Sequence, residues 1–160
     1  MTEREAKNAG VKVILGGVMA GLMAAILPIV WIDGGLNNLA NFFIDAWPNW
    51  SVALIGLFYS GYLLGKKAGT DIIMKKRNAY GVCLKTGFFT LFIGTLCGSL
   101  VGFGVDGLPA ESFTDAVFDY IVKPFYWIFF FGLPFLLIIS GILGWQIKRL
   151  GLENNTGNKK

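Results

Sequence analysis

The chain has 160 residues and 17.5 kDa; 54% are hydrophobic, 15% aromatic and only 15% charged, with a net charge of +4 and a mean hydropathy of +0.60. A soluble domain carries about 25% charged residues, so this balance points to a chain surrounded by lipid and excludes intrinsic disorder. Histidine is absent, which removes imidazole triads, haem ligation by histidine, zincin helices and imidazole proton shuttles together.

A membrane helix needs about 20 mostly apolar residues to cross a hydrocarbon layer about 30 Å thick. Four charge-free runs approach that length. The first covers residues 13–32, after Lys12 and before Asp33. It follows a basic start, as a signal peptide would, but its length exceeds the 7–15 residues of a signal core, so a retained span is expected. An outer segment follows, in which Leu36, Leu39, Phe42, Phe43, Ala46 and Trp47 recur at helical spacing opposite Asn37, Asn38, Asn41 and Asp45. That pattern predicts a short amphipathic helix on the membrane surface, ended by Pro48.

The second span covers 47–65 and meets Lys66 and Lys67. A basic connection over 68–85 leads to the third span, 86–105, which closes at Asp106-Gly107. A second outer helix is expected where Phe113, Ala116, Val117, Tyr120 and Ile121 line one side and Glu111, Ser112, Asp115 and Asp119 lie mostly on the other. Pro124 opens the fourth span, 124–147. Pro28 and Pro134 lie within spans and predict kinks there. The tail, 151–160, is polar and is expected to be loose.

Thirteen of the fourteen basic residues fall in the N-terminal segment, the middle connection and the tail. The two outer connections hold Lys123 against Asp33, Asp45, Asp106, Glu111, Asp115 and Asp119. Basic segments stay on the cytoplasmic side during insertion, so both termini are expected in the cytoplasm of a multi-pass cell-membrane protein. Trp31, Trp47, Trp50, Tyr120, Tyr126 and Trp127 then gather at the outer boundary, as interfacial aromatic belts do.

Landmarks recur in fixed order. Asn8-Ala9 returns as Asn78-Ala79, Asp33-Gly34 as Asp106-Gly107, Pro48 as Pro124, and Ser60-Gly61 as Ser140-Gly141, at offsets of 70, 73, 76 and 80. Smoothly rising offsets are what short insertions in a duplication leave. The expected fold is therefore an all-α integral membrane bundle of four helices, built as two tandem parallel hairpin repeats (1–67 and 86–150), each with a short outer interfacial helix. Both hairpins share one orientation, which lowers the expectation of an inverted-repeat carrier.

Lipid tails are as apolar as leucine, so helices in a bilayer associate by close packing at small residues. Gly94, Gly98 and Gly102 repeat at four-residue spacing, extended by Thr90, and Gly17, Gly21 and Ala25 form the corresponding stripe on the first span. The prediction is that the first and third helices cross at these stripes, or that the stripes meet a second protomer.

Chemistry-bearing residues are few. Asp33 and Asp106, equivalent in the repeat, are able to hold an outer cation or a partner, or to share acid and base duties. The plainer account is an Asp-Gly turn in which glycine takes positive φ. Thr90, Thr95, Ser99, Tyr59, Ser60 and Ser140 offer a polar path, although hydroxyls in membrane helices commonly bond their own backbone. No ionisable side chain stands at mid-depth to relay protons. Cys83 and Cys97 are about 21 Å apart along one helix and cannot bridge. The basic connection is suited to anionic lipid headgroups or an acidic partner. Two sequons, at Asn49 and Asn154, are read as unmodified.

No metal, cofactor or nucleic acid is expected. The reading is a non-enzymatic accessory, assembly or immunity-type subunit that engages a membrane protein partner, or itself, through helix faces and its outer surface. The alternatives are an oligomeric channel or facilitator, and a lipid-acting enzyme using Asp33 and Asp106.

Overall fold

A computed structural model describes the backbone of residues 1–32, 44–108 and 112–157, and the side chains of 1–24, 44–108 and 112–153. The described residues are all-helical apart from short turns. Helix α1 spans Glu3–Ile32. It starts on a reciprocal cap in which Thr2 Oγ1 accepts from Glu5 N at 3.3 Å and Glu5 Oε2 accepts from Thr2 N at 2.7 Å. Helix α2 spans Trp47–Gly69, with Pro48 in its first turn, where no N–H is needed. A π turn, Thr70–Met74, prolongs it.

The chain then reverses over residues 75–78. Lys76 adopts φ 49°, the left-handed conformation that lets so short a link turn back. Asn78 caps helix α3, Ala79–Gly102, by accepting from Tyr80 N at 3.2 Å. A second π turn, Phe103–Gly107, prolongs α3. Ser112 caps the short α4, Phe113–Val117, which passes through a third π turn, Phe118–Val122, into α5, Lys123–Gly157. Two helical stretches, Ala79–Gly107 (29 residues) and Phe113–Glu153 (41 residues), are long and apolar enough to cross a membrane.

Each long helix packs on its neighbour in sequence, α1 on α2, α2 on α3 and α3 on α5, and α1 closes the ring against α5. All four pairs run antiparallel, since Gly10 meets Gly65 and Gly69, Gly98 meets Ala53, Gly144 meets Ala79 and Gly17 meets Leu143. One end of the bundle, here called the basic end, gathers Val13, Ile14, Ala68, Ile72, Cys83 and Ile147 into a buried cluster.

The basic connection over 68–85 is mostly helical, with Ala68 and Ile72 buried in that cluster and residues 75–78 sufficing for the reversal. Two expectations are corrected. The tail is helical to Gly157: Gly151 packs on Ile73 and Arg149 pairs with Glu153 at 2.7 Å. Pro124 does not end a separate outer helix. The π turn just before it widens the helix where the ring would otherwise press on the carbonyl four residues back, so α4 runs on into α5. The first outer segment lies largely outside the described residues, from 33 to 43.

Candidate functional site

The small-residue stripe of α3 faces α2 and not α1. A Cβ at Gly94 would strike Leu57, one at Gly98 would lie 2.9 Å from Ala53 Cβ, and one at Gly102 would lie 3.0 Å from Asn49 Nδ2 and 3.1 Å from Tyr120 Cδ1. Among the described residues the expected crossing of the first and third helices is therefore absent, since those two helices stand on a diagonal of the ring with α2 and α5 between them. They approach across Gly61, whose Cβ position lies 3.3 Å from Leu15 Cδ2 and 3.7 Å from Thr90 Cγ2. On α1, Gly17 accommodates Leu143 of α5, whereas Gly16 and Gly21 meet nothing within 4 Å among the described residues. The Ala25 side chain lies outside the described residues.

Asp106 is exposed on the second π turn. Its neighbour Gly107 keeps a negative-side backbone and is required for closeness instead, because a Cβ there would come within 2.9 Å of Tyr120 and 3.1 Å of Ala116. This corrects the expected positive-φ Asp-Gly turn at 106–107. Asp33 lies outside the described residues, and with it the proposed pairing of the two carboxylates. Two other acids of that end have local employment. Asp115 Oδ2 accepts from the capping Ser112 hydroxyl at 2.6 Å, and Asp119 pairs with Lys123 one turn on. Among the described residues no group of three or more acids, cysteines or histidines converges as a metal shell would.

The hydroxyls in the middle of the bundle mostly bond within their own helices. Ser60 and Ser140 donate to the carbonyls four residues back, Gly56 and Leu136, each at 2.6 Å, and Thr95 donates to Leu91 at 2.8 Å. These two serines are the pair that the proposed repeat aligns. Thr90 differs: it is 2% exposed and its hydroxyl has no partner among the described residues. Tyr59 is 65% exposed on the outside of the ring.

The feature that sequence reasoning passed over is Asp71, the one acid among the basic residues between 66 and 85. Its side chain is 7% exposed, in ion pairs with Lys75 Nζ at 2.8 Å and Arg77 Nη1 at 3.3 Å, and its carbonyl accepts from Arg77 N at 3.0 Å. One residue thus fastens the reversal through both side chain and backbone. The hydrogen bond from Lys75, helped by the charges of Arg77, Lys75 and Lys67, holds the Asp71 carboxyl below its ordinary range despite opposing burial. The i,i+4 spacing of Asp71 and Lys75 was the available signal.

Asp71 opens onto a groove of about 670 Å³ between the basic-end turns of α2 and α3. Lys67, Arg77 and Lys85 bring positive charge to it, and Leu64, Val82 and Phe89 form its apolar wall. Lys67 and Lys85 have no carboxylate partner among the described residues, and Lys85 Nζ stands 6.0 Å from the centre of the Phe89 ring.

Comparison of the chain with family models, curated proteins and solved structures found no match.

Proposed function

We propose that this chain is a four-span integral membrane protein with both termini in the cytoplasm, and that it acts as a non-catalytic accessory, assembly or immunity-type subunit through contacts with another membrane protein. The observation that carries the membrane part is the distribution of side chains by size. Glycine, alanine, serine and threonine occupy the middle of the bundle, while Ile55, Phe130, Phe131 and Ile138 stand 60–69% exposed on its flank. In water that arrangement would forfeit the burial of the largest apolar groups, each worth roughly 1.5–3 kcal/mol. In lipid it costs nothing, and close backbone contact is what remains to hold helices together. The basic and acidic ends support the orientation, and the matching bonds of Ser60 and Ser140 support the two-hairpin duplication.

The contact face we assign to a partner is the outer side of α1, where Gly16 and Ala20, one turn apart, are both exposed and leave room for a second helix. Two measurements test this reading. The chain should resist alkaline extraction from membranes, and a protein that washes off ends the membrane assignment. In-cell crosslinking followed by mass spectrometry should recover a membrane protein whose yield falls at least about fivefold in Gly16→Leu/Ala20→Leu, as loss of a helix contact of about 1 kcal/mol requires. A chain that crosslinks to nothing, or equally well with both leucines in place, overturns the partner assignment.

A further inference from the structure

We propose that the groove between the basic-end turns of α2 and α3 is a binding site for an anionic phospholipid, with the phosphate held by Lys67, Arg77 and Lys85 and an acyl chain lying along Leu64 and Phe89. The inference rests on the membrane reading above. It adds a ligand and a location that orientation by charge alone does not require, since charge bias needs basic residues in a connection but no groove to collect them.

The charges in the groove do not cancel. Asp71 is the one carboxylate there, and Lys75 takes its nearer bond at 2.8 Å from outside the groove lining. Arg77 engages Asp71 through Nη1 at 3.3 Å, which leaves the other nitrogens of its guanidinium for a second acceptor. Lys67 and Lys85 contribute two further ammonium groups, both on exposed residues. A net positive, partly walled recess favours an anion, and a phosphodiester matches both its charge and the donors available.

The order of residues along the groove selects a lipid over a soluble phosphate or an acidic peptide. Arg77 lies at the reversal, Lys85 two helical turns further along α3, and Phe89 one more turn towards the middle of the bundle. Phe89 is 42% exposed and continuous with Phe88 and Phe92 on the same flank, both also exposed. Cations therefore sit at the water side and an open apolar surface at the bilayer side of one recess. That is the sequence of groups in a phospholipid read from headgroup to tail. A soluble anion would leave the Leu64, Val82 and Phe89 wall bare.

The test reconstitutes the full chain into phosphatidylcholine vesicles doped with photoactivatable phosphatidylglycerol or photoactivatable phosphatidylcholine, and maps the adducts by mass spectrometry. Adducts of the anionic lipid should concentrate in residues 64–89. Each basic residue near an anionic headgroup is worth about fivefold in affinity, so Lys67→Gln/Lys85→Gln should lower groove labelling about 25-fold. Lys12→Gln/Lys148→Gln removes the same charge from the same end but outside the groove and should leave labelling unchanged. Equal labelling by the two lipids, or an equal loss in both double variants, overturns the site. Displacement of the label by millimolar inorganic phosphate as readily as by excess phosphatidylglycerol overturns the choice of a lipid. Flotation of the same vesicles keeps the two readings apart: a chain that floats with them but shows no anionic preference refutes only this site, whereas one that does not float refutes the membrane reading and this site with it.

Discussion

The basic end of the bundle and its middle are built by different rules. At the basic end branched aliphatic side chains, Val13, Ile14, Ile72 and Ile147, are buried together, and a carboxylate with two cationic partners locks the reversal beside them. In the middle the buried groups among the described residues are mostly small, Gly56, Ser60, Gly61, Thr90, Gly94, Thr95 and Ser140, with Leu136 the one large aliphatic side chain. The first is how a core forms when water is the alternative, and the second is how helices meet when lipid is the alternative. On the membrane reading proposed above, the change of rule along one bundle marks where the solvent changes. Helices α1, α2 and α5 continue past the charge-free runs, and their extensions are held by an ordinary hydrophobic cluster.

The sharpest way to break the basic end is at its backbone contacts. A Cβ on Gly69 would collide with the Ala6 carbonyl, and one on Gly10 would come within 2.5 Å of Gly69 N. Main chain cannot rotate aside as a side chain does, so Gly69→Ala should cost about 3 kcal/mol or more. Gly16→Ala, in open space on α1, should instead stabilise by about 0.5–1 kcal/mol through helix propensity. Reversible unfolding of the detergent-solubilised chain, followed by circular dichroism, reads both. Equal effects of the two substitutions would mean that α1 and α2 do not approach so closely.

A smaller effect is expected at Asp71. Its partners are more than half exposed and can be hydrated when the carboxylate is gone, so Asp71→Asn should cost about 1–2 kcal/mol, less than the loss of a fully buried pair. Its lowered folded-state pKa fixes the sign with pH. The stabilisation is complete above the unfolded-state value of about 3.9 and disappears as pH falls through the lower folded-state value. The gap between native chain and Asp71→Asn should therefore close in acid. A gap that persists unchanged at pH 2 would assign the effect to packing and not to charge.

These two positions also mark what the sequence discloses. The four helical segments, the charge asymmetry of the two ends and the Ser60 and Ser140 positions are legible because each depends on local composition and spacing. Helix neighbours are not. Both α1 and α3 carry small stripes, but Gly94 and Gly98 face Leu57 and Ala53 of α2, a choice made by ring order that periodicity does not encode. Continuity across Pro124 was hidden for a different reason. Proline ordinarily signals a stop, and the π turn just before it absorbs the signal without ending the helix. Asp71 escaped because both of its partners lie within the reversal, and the second of them, Arg77, comes within reach only once the chain has turned.

The middle of the bundle yields the smallest effect and the most direct test of its rule. Thr90 and Thr95 lie on one helix, both buried, yet Thr95 donates to Leu91 O at 2.8 Å while the Thr90 hydroxyl has no partner among the described residues. Valine keeps the branched shape of threonine and replaces the hydroxyl by a methyl group, so the two substitutions differ mainly in what the lost hydroxyl was doing. Removing an unsatisfied buried hydroxyl relieves its desolvation cost, and Thr90→Val should stabilise by about 1 kcal/mol. Thr95→Val removes a made bond and should destabilise by about 0.5 kcal/mol. Opposite signs in matched unfolding curves would establish that the centre is held by close packing, with Thr90 contributing its shape alone. A loss at both positions would mean that Thr90 finds an acceptor in the assembled protein, and the middle would then be a polar junction and not a contact of small residues.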